Sequence, residues 1–431
     1  MSAASPPSVV PPAPMSRAAI AAWCLYDWAN SSFPAVITTF VFATYFTQGV
    51  APDPITGTAL WSQALAAAGL AIAIASPILG AIADEAGRRK KWLAVFTALM
   101  VAAMALLWFV RPEPESVPLA LIGIALATFA FEVATVFYNS LLPTLAPPSH
   151  QGRVSGWGWG FGYVGGIVCL ALILFVFVRA EPAPFGLDRA AAEHVRVAAL
   201  VAALWTALFA APLFWLVPEA RRAPVRMLDA ARRGLADLLA TARGLRHNAG
   251  VGWFLLAHMI YADGLTTLFA FGGIYAAGTF GMELDEVIVF GIALNVTAGA
   301  GALAFAWVDD WIGPRRTVAI ALAALIVVAA SLLAVESKSW FWGLGLALGV
   351  FFGPVQAASR TLMARLAPAD QTSQYFGLFA LSGRVTAFIG PAILGWVTLA
   401  FASQRAGMAT ILVFFAAGLW LLLAKVPDRR G

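Results

Sequence analysis

Twelve apolar stretches of about 20 residues or more, separated by short polar segments, constrain the fold of this chain most strongly. A helix needs about 20 apolar residues to cross the hydrocarbon core of a bilayer. Lipid offers the backbone no hydrogen-bond partners, so a crossing segment this long and continuous has to be a helix. We predict an all-α membrane protein with twelve crossings at about 19–46, 60–83, 91–110, 118–142, 153–178, 196–217, 251–276, 285–307, 317–335, 340–364, 373–400 and 407–425.

Composition excludes a sizeable soluble domain. Of the 431 residues, 61% are hydrophobic and 11% are charged, whereas soluble domains carry about 25% charge. Because the crossings use most of the chain, the net charge of +5 should follow membrane topology, and we predict no nucleic-acid partner.

The distribution of Lys and Arg predicts the orientation. With the amino terminus inside, 19 cations fall on the inner segments and 6 on the outer ones, while Arg360 and Arg384 lie within helices. Cytoplasmic loops are enriched in Lys and Arg. We therefore predict that both termini are cytoplasmic, in a multi-pass protein of a bacterial inner membrane.

The chain contains an internal repeat. A shift of 221 residues superposes Leu141, Ala146, Pro147 and Gly156 on Leu362, Ala367, Pro368 and Gly377. Six helices per half would make the halves parallel copies, related by an axis along the membrane normal. The predicted organisation is a disordered tail (1–16), an N-terminal six-helix bundle (17–217), a cytoplasmic linker (218–249), a C-terminal six-helix bundle (250–425) and a short cytoplasmic tail (426–431).

The linker is too polar to span a membrane. Its apolar residues recur at helical spacing opposite its arginines, a pattern that runs from Val225 and Arg226 to Leu245 and Arg246. This pattern predicts an amphipathic helix, either on the inner leaflet or against the ends of the two bundles. A plain domain linker is the alternative.

Two charged turns stand at equivalent places in the two halves. The first contains Gly80, Asp84, Gly87 and Arg88, and a weaker copy contains Asp310, Gly313 and Arg315. The pair resembles the loop motif of the major facilitator superfamily. The resemblance implies a small-molecule transporter whose two bundles rock in alternating access. We expect Asp84 with Arg88, and Asp310 with Arg315, to pair on the cytoplasmic side when that side is closed.

Five charged residues lie inside apolar stretches: Asp27, Glu132, Asp263, Arg360 and Arg384. At about 2.5–3.5 kcal/mol each, they would cost about 12–17 kcal/mol, which rivals the whole net stability of a typical domain. We therefore expect them to pair with one another or to line a hydrated cavity.

The run from Tyr26 through Asp27 and Asn30 to Phe33 packs polar groups densely on the first helix. It resembles the signature of the vacuole-effluxer-like branch of the superfamily, also called the unknown major facilitator family. Tyr261-Ala-Asp263-Gly264 on the seventh helix supports that resemblance. Its fungal vacuolar members imply amino-acid export.

We predict a substrate and proton pathway along these residues. Glu132, near the midplane, is the preferred proton carrier, with Asp27 as a second candidate and Asp263 facing the cavity. Arg360 and Arg384 replace Asn139 and Tyr163 of the first half, and as guanidinium groups they suit a carboxylate-bearing solute. Three structural alternatives stay open: Asp27 only hydrogen-bonds the Tyr/Trp/Asn cluster that locks the two halves, Glu132 forms a structural ion pair, and Arg360 pairs with the cytoplasmic turn. His258 is predicted to be an interior histidine.

The glycine-rich run 156–166 follows no strand and alternates with aromatic residues. This pattern indicates close helix packing rather than a phosphate-binding loop. The sequence contains no nucleophile motif or paired metal ligands, so we predict no enzyme activity and no cofactor.

The predicted function is secondary active transport of a small polar solute, an amino acid or a related zwitterion or organic anion, with protons as the candidate coupling ion. The alternatives are a drug or sugar exporter and a lipid flippase or scramblase. The expected partners are the solute and the lipid bilayer, and the expected state is a monomer.

Overall fold

The computed structural model describes residues 16–219, 227–244 and 249–428. All regular elements in these ranges are helical, and twelve helices are long and apolar enough to cross a membrane. They are α1 (Arg17–Val50), α2 (Pro54–Ala86), α3 (Arg89–Phe109), α4 (Pro114–Leu145), α5 (Pro148–Val178), α6 (Glu193–Leu216), α7 (Ala249–Phe280), α8 (Leu284–Ile312), α9 (Pro314–Ala334), α10 (Lys338–Leu366), α11 (Thr372–Phe401) and α12 (Gln404–Lys425). The predicted count and fold class are confirmed.

Local sequence signals mark the ends of the helices. Asp53 precedes α2, and its carboxylate accepts hydrogen bonds from the backbone N–H groups of Ile55 and Thr56, an N-cap that satisfies donors with no partner inside the helix. Gly87 ends α2 with φ 62°, a conformation that glycine adopts at little cost. The chain can therefore reverse within two residues and begin α3.

The helices form two six-helix bundles, α1–α6 and α7–α12. The bundles meet through α2 against α11 and α5 against α8, while α10 packs against α4 and α5. These contacts concentrate toward one face of the molecule. We call it the terminal face; it carries the α2–α3 turn, the α10–α11 turn and the chain end at Val426–Asp428.

The glycine-rich part of α5 packs tightly on both sides. A Cβ added at Gly165 would lie 2.7 Å from the Cα of Trp28 on α1, and one added at Gly156 would lie 2.9 Å from the Cα of Ala306 on α8. Contacts this short leave room only for hydrogen atoms. The predicted close packing of this helix is confirmed.

The linker helix (Met227–Gly244) packs against the terminal-face end of α2. A Cβ at Gly234 would lie 2.8 Å from the carbonyl carbon of Ala81, and Ala230 is fully buried, whereas Arg232 and Arg233 are exposed. Of the alternatives left open, docking against a bundle end is therefore the observed one. The ends of the pattern at Val225, Arg226, Leu245 and Arg246 lie outside the described residues, as do residues 1–15 and 429–431 of the predicted tails.

Two crossing helices are irregular near their middle. Helix α1 is regular to Asn30 and then contains wide π-helical turns at Phe33–Phe40 and Phe46–Val50. Helix α11 consists of two segments, Thr372–Arg384 and Ile389–Phe401. Transporters place such interruptions where a site is built, because a broken helix offers backbone groups as ligands.

Candidate functional site

The terminal face is closed by Asp84 at the end of α2. Its carboxylate accepts hydrogen bonds from the backbone N–H groups of Ser373 (3.2 Å) and Gln374 (2.8 Å) at the start of α11. Arg89 lies 2.8 Å from the same carboxylate. An anion at a helix N-terminus is favoured by the helix dipole. The sequence predicted that Asp84 and Arg88 pair at the closed face. Asp84 does bind there, but the cation beside it is Arg89, because Arg88 forms the turn into α3.

Glycines allow this closure. A Cβ on Gly80 would collide with the carbonyl oxygen of Ser373, and one on Gly377 would lie 2.6 Å from the Cα of Pro77. The backbones of α2 and α11 therefore touch directly. That contact belongs to one conformation, because any separation of the bundles breaks it.

The repeat-related turn closes the other side of the same face. Asp310 lies 3.1 Å from Arg153 at the start of α5. Arg153 is the repeat counterpart of Gln374, so each half directs an aspartate to the equivalent helix start of the other half. The predicted partner Arg315 is wrong: it donates hydrogen bonds to the carbonyls of Leu422 (3.2 Å) and Leu423 (2.7 Å) within its own bundle. Gly313 forms the turn at φ 89°.

Above this face, Arg360 of α10 locks the two bundles together. Its guanidinium donates hydrogen bonds to Asp27 (3.1 Å), Asn139 (3.3 Å) and both the hydroxyl (2.9 Å) and carbonyl (2.6 Å) of Ser155. It also stacks over the ring of Trp23 at 4.7 Å. Every one of these partners belongs to the first bundle.

The lock is buried and its charges are paired. The side chains of Arg360 and Asp27 are 4% and 14% exposed. All three nitrogens of the guanidinium are engaged, so Arg360 is not an open anion ligand in this conformation, and it does not contact the α2–α3 turn. In this conformation Arg360 therefore forms an inter-bundle ion pair, and the predictions that it serves as an anion ligand or pairs with the cytoplasmic turn are corrected.

Three polar residues predicted to line the pathway take different positions. Tyr163 donates a hydrogen bond across the bundles to Gln356 (2.8 Å). Tyr26 is fully buried, bonds to Thr97 (2.7 Å) and stacks on an aromatic ring inside its own bundle. Tyr26 is thus a core residue rather than part of a cavity wall. Asn30 is 4% exposed, with its side-chain oxygen unpaired.

A third cross-bundle ion pair, between Glu132 of α4 and Arg384 of α11, lies nearer the middle of the molecule. Arg384 ends the first segment of α11, 13 residues from the terminal face, yet 40% of its side chain is exposed. Its partner belongs to the other bundle, so this partly exposed ion pair lies at the interface between the bundles.

Asp263 of α7 lies apart from both pairs. It is 2% exposed, and its carboxylate accepts a hydrogen bond from the backbone N–H of Gly390 (3.1 Å), at the start of the second segment of α11. The prediction that it faces an open cavity is corrected: it points to the interruption in α11. His258 bonds to Ser382 (2.8 Å) and stacks on Phe379, which confirms an interior histidine.

Sequence reasoning missed Ser155, Gln356 and Arg153, all of which bond across the bundles. Serine, glutamine and a helix-end arginine carry no sequence signal of depth. The internal repeat could have predicted the position of Arg153. Asp84 binds the start of α11, so its repeat counterpart Asp310 should bind the start of α5, where Arg153 lies.

The cross-bundle hydrogen bonds and ion pairs among residues 16–219 and 249–428 all lie between the terminal face and the level of Glu132. This arrangement fits a carrier that is closed at one face. A sequence profile described as "Vacuole effluxer Atg22 like" matches residues 54–431. The chain belongs to the vacuole effluxer Atg22-like family.

Relatives agree with that assignment. This Atg22-like chain is 25% identical to the uncharacterized MFS-type transporter YxiO of Bacillus subtilis over 94% of both chains. It is 24% identical to autophagy-related protein 22 of Cryptococcus neoformans, over 65% of this chain. The match covers 53% of that fungal protein, so about half of the fungal relative's length has a counterpart here.

Solved structures show the same fold. The fucose transporter FucP in its outward conformation superposes on the Atg22-like chain with a TM-score of 0.72 at 16% identity, over 94% of this chain and 97% of FucP. The human organic anion transporter MFSD10 superposes with a TM-score of 0.74 at 17% identity, over 95% and 100%. Together with the family match and the MFS-type relative, this fold identifies a multi-pass membrane transporter of the major facilitator type.

Proposed function

We propose that this transporter moves amino acids or closely related zwitterions, and that the Glu132–Arg384 pair is the binding site. The observation that carries the proposal is an ion pair that joins the bundles and in which 40% of the Arg384 side chain is exposed. A zwitterion can replace such a pair without any net change of charge. Its carboxylate takes the place of Glu132 on Arg384, and its ammonium group takes the place of Arg384 on Glu132.

The exchange favours this class of solute for an energetic reason. A charge left unpaired at depth costs several kcal/mol, so a solute that separates the pair has to compensate both residues. Guanidinium and carboxylate groups form strong charge-assisted hydrogen bonds in planar geometry. A neutral sugar offers no charge to either residue, and an anion without an ammonium group leaves Glu132 uncompensated.

Transport then follows from the cross-bundle ion pairs of the described residues, which are Arg360–Asp27, Arg153–Asp310 and Arg384–Glu132. In the closed state Arg360 and the Asp84 and Asp310 contacts hold the terminal face shut. A solute can only shift this equilibrium if it binds one conformation more tightly than the other. Separation of the Glu132–Arg384 contact by a bound zwitterion supplies that difference, since the solute occupies the space where the bundles now touch. We place the terminal face in the cytoplasm, in line with the distribution of cations, and take protons as the coupling ion.

The test is a thermal-shift screen of purified protein with amino acids, sugars and organic acids. A ligand that binds only the folded state raises the melting temperature. We expect amino acids to raise it, and Glu132→Gln and Arg384→Gln each to abolish the rise. Arg111→Gln, at an exposed arginine between α3 and α4, is the matched control and should keep it.

The outcome discriminates between solute classes. A rise produced by sugars alone, or a rise by amino acids that survives in both variants, would exclude the proposed site. A rise by organic acids that is lost in Arg384→Gln but kept in Glu132→Gln would replace zwitterions by anions.

A further inference from the structure

The interruption of α11 brings one unusual carboxylate to its centre. The backbone changes from the α pattern at Val385–Phe388, where the N–H groups of Ala387 and Ile389 bond to the carbonyls three residues before them. Asp263 meets the segment that restarts there: one of its oxygens accepts the Gly390 N–H, and the other is fully buried with no hydrogen-bond partner. A Cβ on Gly390 would lie 2.9 Å from that unpartnered oxygen, so glycine keeps the space beside it open.

Among the described residues of the helices that surround it, Asp263 has no cationic partner. The second segment of α11 (Ile389–Phe401) contains no charged residue. Among the side chains that the structure describes, the cations are Arg384 on α11, paired with Glu132; Arg360 on α10, paired with Asp27; Lys338 and Arg365 near the ends of α10; and Arg405 and Lys425 at the ends of α12. The other titratable groups are Glu286, Asp309 and Asp310 near the ends of α8, His258, Tyr261 and Tyr275 on α7, and Tyr375 on α11.

The lack of a cationic partner distinguishes Asp263 from the other intramembrane carboxylates singled out from the sequence. Asp27 and Glu132 are each compensated by an arginine from the other bundle, whereas Asp263 has one backbone N–H. A buried carboxylate without a cation is costly in its ionised form. Such a group lowers its free energy by binding a proton or a metal cation.

We propose that Asp263 is the proton-binding site of this transporter, and that the interruption of α11 connects its protonation to Arg384. The proposal deepens the proposed function and rests on it only for the identity of the solute ligand. A proton from water adds to the unpartnered oxygen of Asp263 and forms the neutral acid; its release regenerates the carboxylate.

A proton fits this position better than Na⁺. The Gly390 N–H points at the carboxylate, and the start of a helix segment carries a partial positive charge, which repels a metal cation. Hard metal cations bind through several oxygen ligands at once, about six for Ca²⁺ or Mg²⁺. A proton needs only the one open oxygen that Asp263 presents.

The connection to the solute site is mechanical and short. The ionised carboxylate attracts Gly390 and the positive end of the Ile389–Phe401 segment, and protonation weakens both attractions. Arg384 is the last residue before the interruption. A change in how the second segment docks on α7 therefore changes the position of the residue that pairs with Glu132.

The first experiment requires no solute. Infrared pH-difference spectra of the purified protein should show the carbonyl band of a protonated carboxylic acid that disappears as the pH rises. We expect Asp263→Asn to lose this band, and Asp27→Asn and Glu132→Gln to keep it. Persistence of the band in Asp263→Asn, or its loss in Glu132→Gln alone, would overturn the proposal. Asp263→Glu is the control for misfolding. It keeps a carboxylate at this position and should therefore show a titrating band with a shifted midpoint.

The second experiment tests the connection across α11. A single cysteine at Phe388, which is 69% exposed, is introduced after replacement of the buried Cys24 and Cys169 by Ala. Its labelling rate with a maleimide should vary with pH in the otherwise unchanged chain, by several-fold across the midpoint of the infrared band. The same cysteine should label at a pH-independent rate with Asp263→Asn. Equal pH dependence in both would refute the coupling.

The two proposals fail in different ways. If no amino acid raises the melting temperature but the infrared band depends on Asp263, the solute assignment is wrong and the proton site stands. If amino acids bind through Arg384 and Glu132 but the band does not depend on Asp263, the proton site is wrong and the solute site stands.

Discussion

Replacement of Arg360 by glutamine should open the terminal face. The guanidinium makes four hydrogen bonds to Asp27, Asn139 and Ser155, all across the bundle interface. Glutamine is too short to reach most of them and carries no charge. The side chain of Asp27, 14% exposed, would then be left as a buried anion without a cation.

The expected magnitude follows from that burial. Removing one partner of a buried ion pair costs about 3–5 kcal/mol. A conformation in which the bundles have separated at this level has already lost these contacts, so the cost falls on the closed state. At about 1.4 kcal/mol per tenfold change, the equilibrium between closed and open should shift by a factor of about 10² to 10³.

Double electron–electron resonance, which measures the distance between two spin labels, reports this equilibrium directly. Spin labels are placed at two exposed residues, Ser149 in the first turn of α5 and Asp370 in the α10–α11 turn, which lie on opposite bundles at the terminal face. The unsubstituted chain should give a single short distance, and Arg360→Gln a dominant longer one. Arg111→Gln, which removes an exposed arginine outside the interface, should leave the distance unchanged.

A double variant separates the charge from the contacts. Asp27→Asn with Arg360→Gln leaves no uncompensated charge, so its closed population should be larger than that of Arg360→Gln alone. A short distance retained in Arg360→Gln would show that the lock does not hold the face shut. An equal opening in the single and double variants would show that the charge of Asp27 contributes nothing.

Three further outcomes are expected. Gly377→Val puts a Cβ against the Pro77 backbone and should lengthen the same label distance, whereas Gly343→Val, where nothing lies within 4 Å, should not. Arg153→Gln should open the face less than Arg360→Gln does, because Arg153 is 32% exposed and donates one hydrogen bond to Asp310, whereas Arg360 donates four across the interface. Hydrogen bonds from the Thr56 hydroxyl and backbone N–H lower the pKa of Asp53. The Asp53 cap therefore stabilises α2 fully above the ordinary carboxyl pKa, and this stabilisation is lost as the pH falls through the lowered pKa of Asp53. Hydrogen exchange in the first turn of α2 should become faster over that pH range in the unsubstituted chain, but not in Asp53→Asn.

The fold followed from the sequence because the bilayer simplifies the problem. Each apolar stretch has only the helix as a spanning conformation, and the two charged turns mark equivalent places in the repeat. The carboxylates that close the terminal face were also predictable, since Asp84 and Asp310 are acidic residues of those turns. Their cations were not, because Arg88 and Arg89 are adjacent in sequence and only the geometry of the turn selects Arg89.

The pairing at depth was not predictable. Sequence gives the depth of a residue in its helix but not the direction of its side chain, so Arg360 and Arg384 looked alike as anion ligands. In the structure the Arg360 side chain is enclosed and 4% exposed, whereas the Arg384 side chain is 40% exposed. Tyr26 shows the same limit: it is adjacent to Asp27, yet one turns into the bundle core and the other toward Arg360.

The lock around Arg360 depends on the divergence of the repeat. Arg360 bonds to Asn139, and the two residues are repeat counterparts, 221 positions apart, that meet where the two bundles touch. Identical residues would face each other there before divergence: two arginines would repel, and two asparagines would lack the charge that holds Asp27. An exchange of the two residues tests this reasoning. Asn139→Arg with Arg360→Asn keeps the composition, but Phe376 replaces Ser155 at the equivalent place in the second bundle, and its ring accepts no hydrogen bond in the plane of the guanidinium. The exchange should therefore open the terminal face as far as Arg360→Gln does, and a closed face in the exchanged protein would show that the contact is symmetric after all.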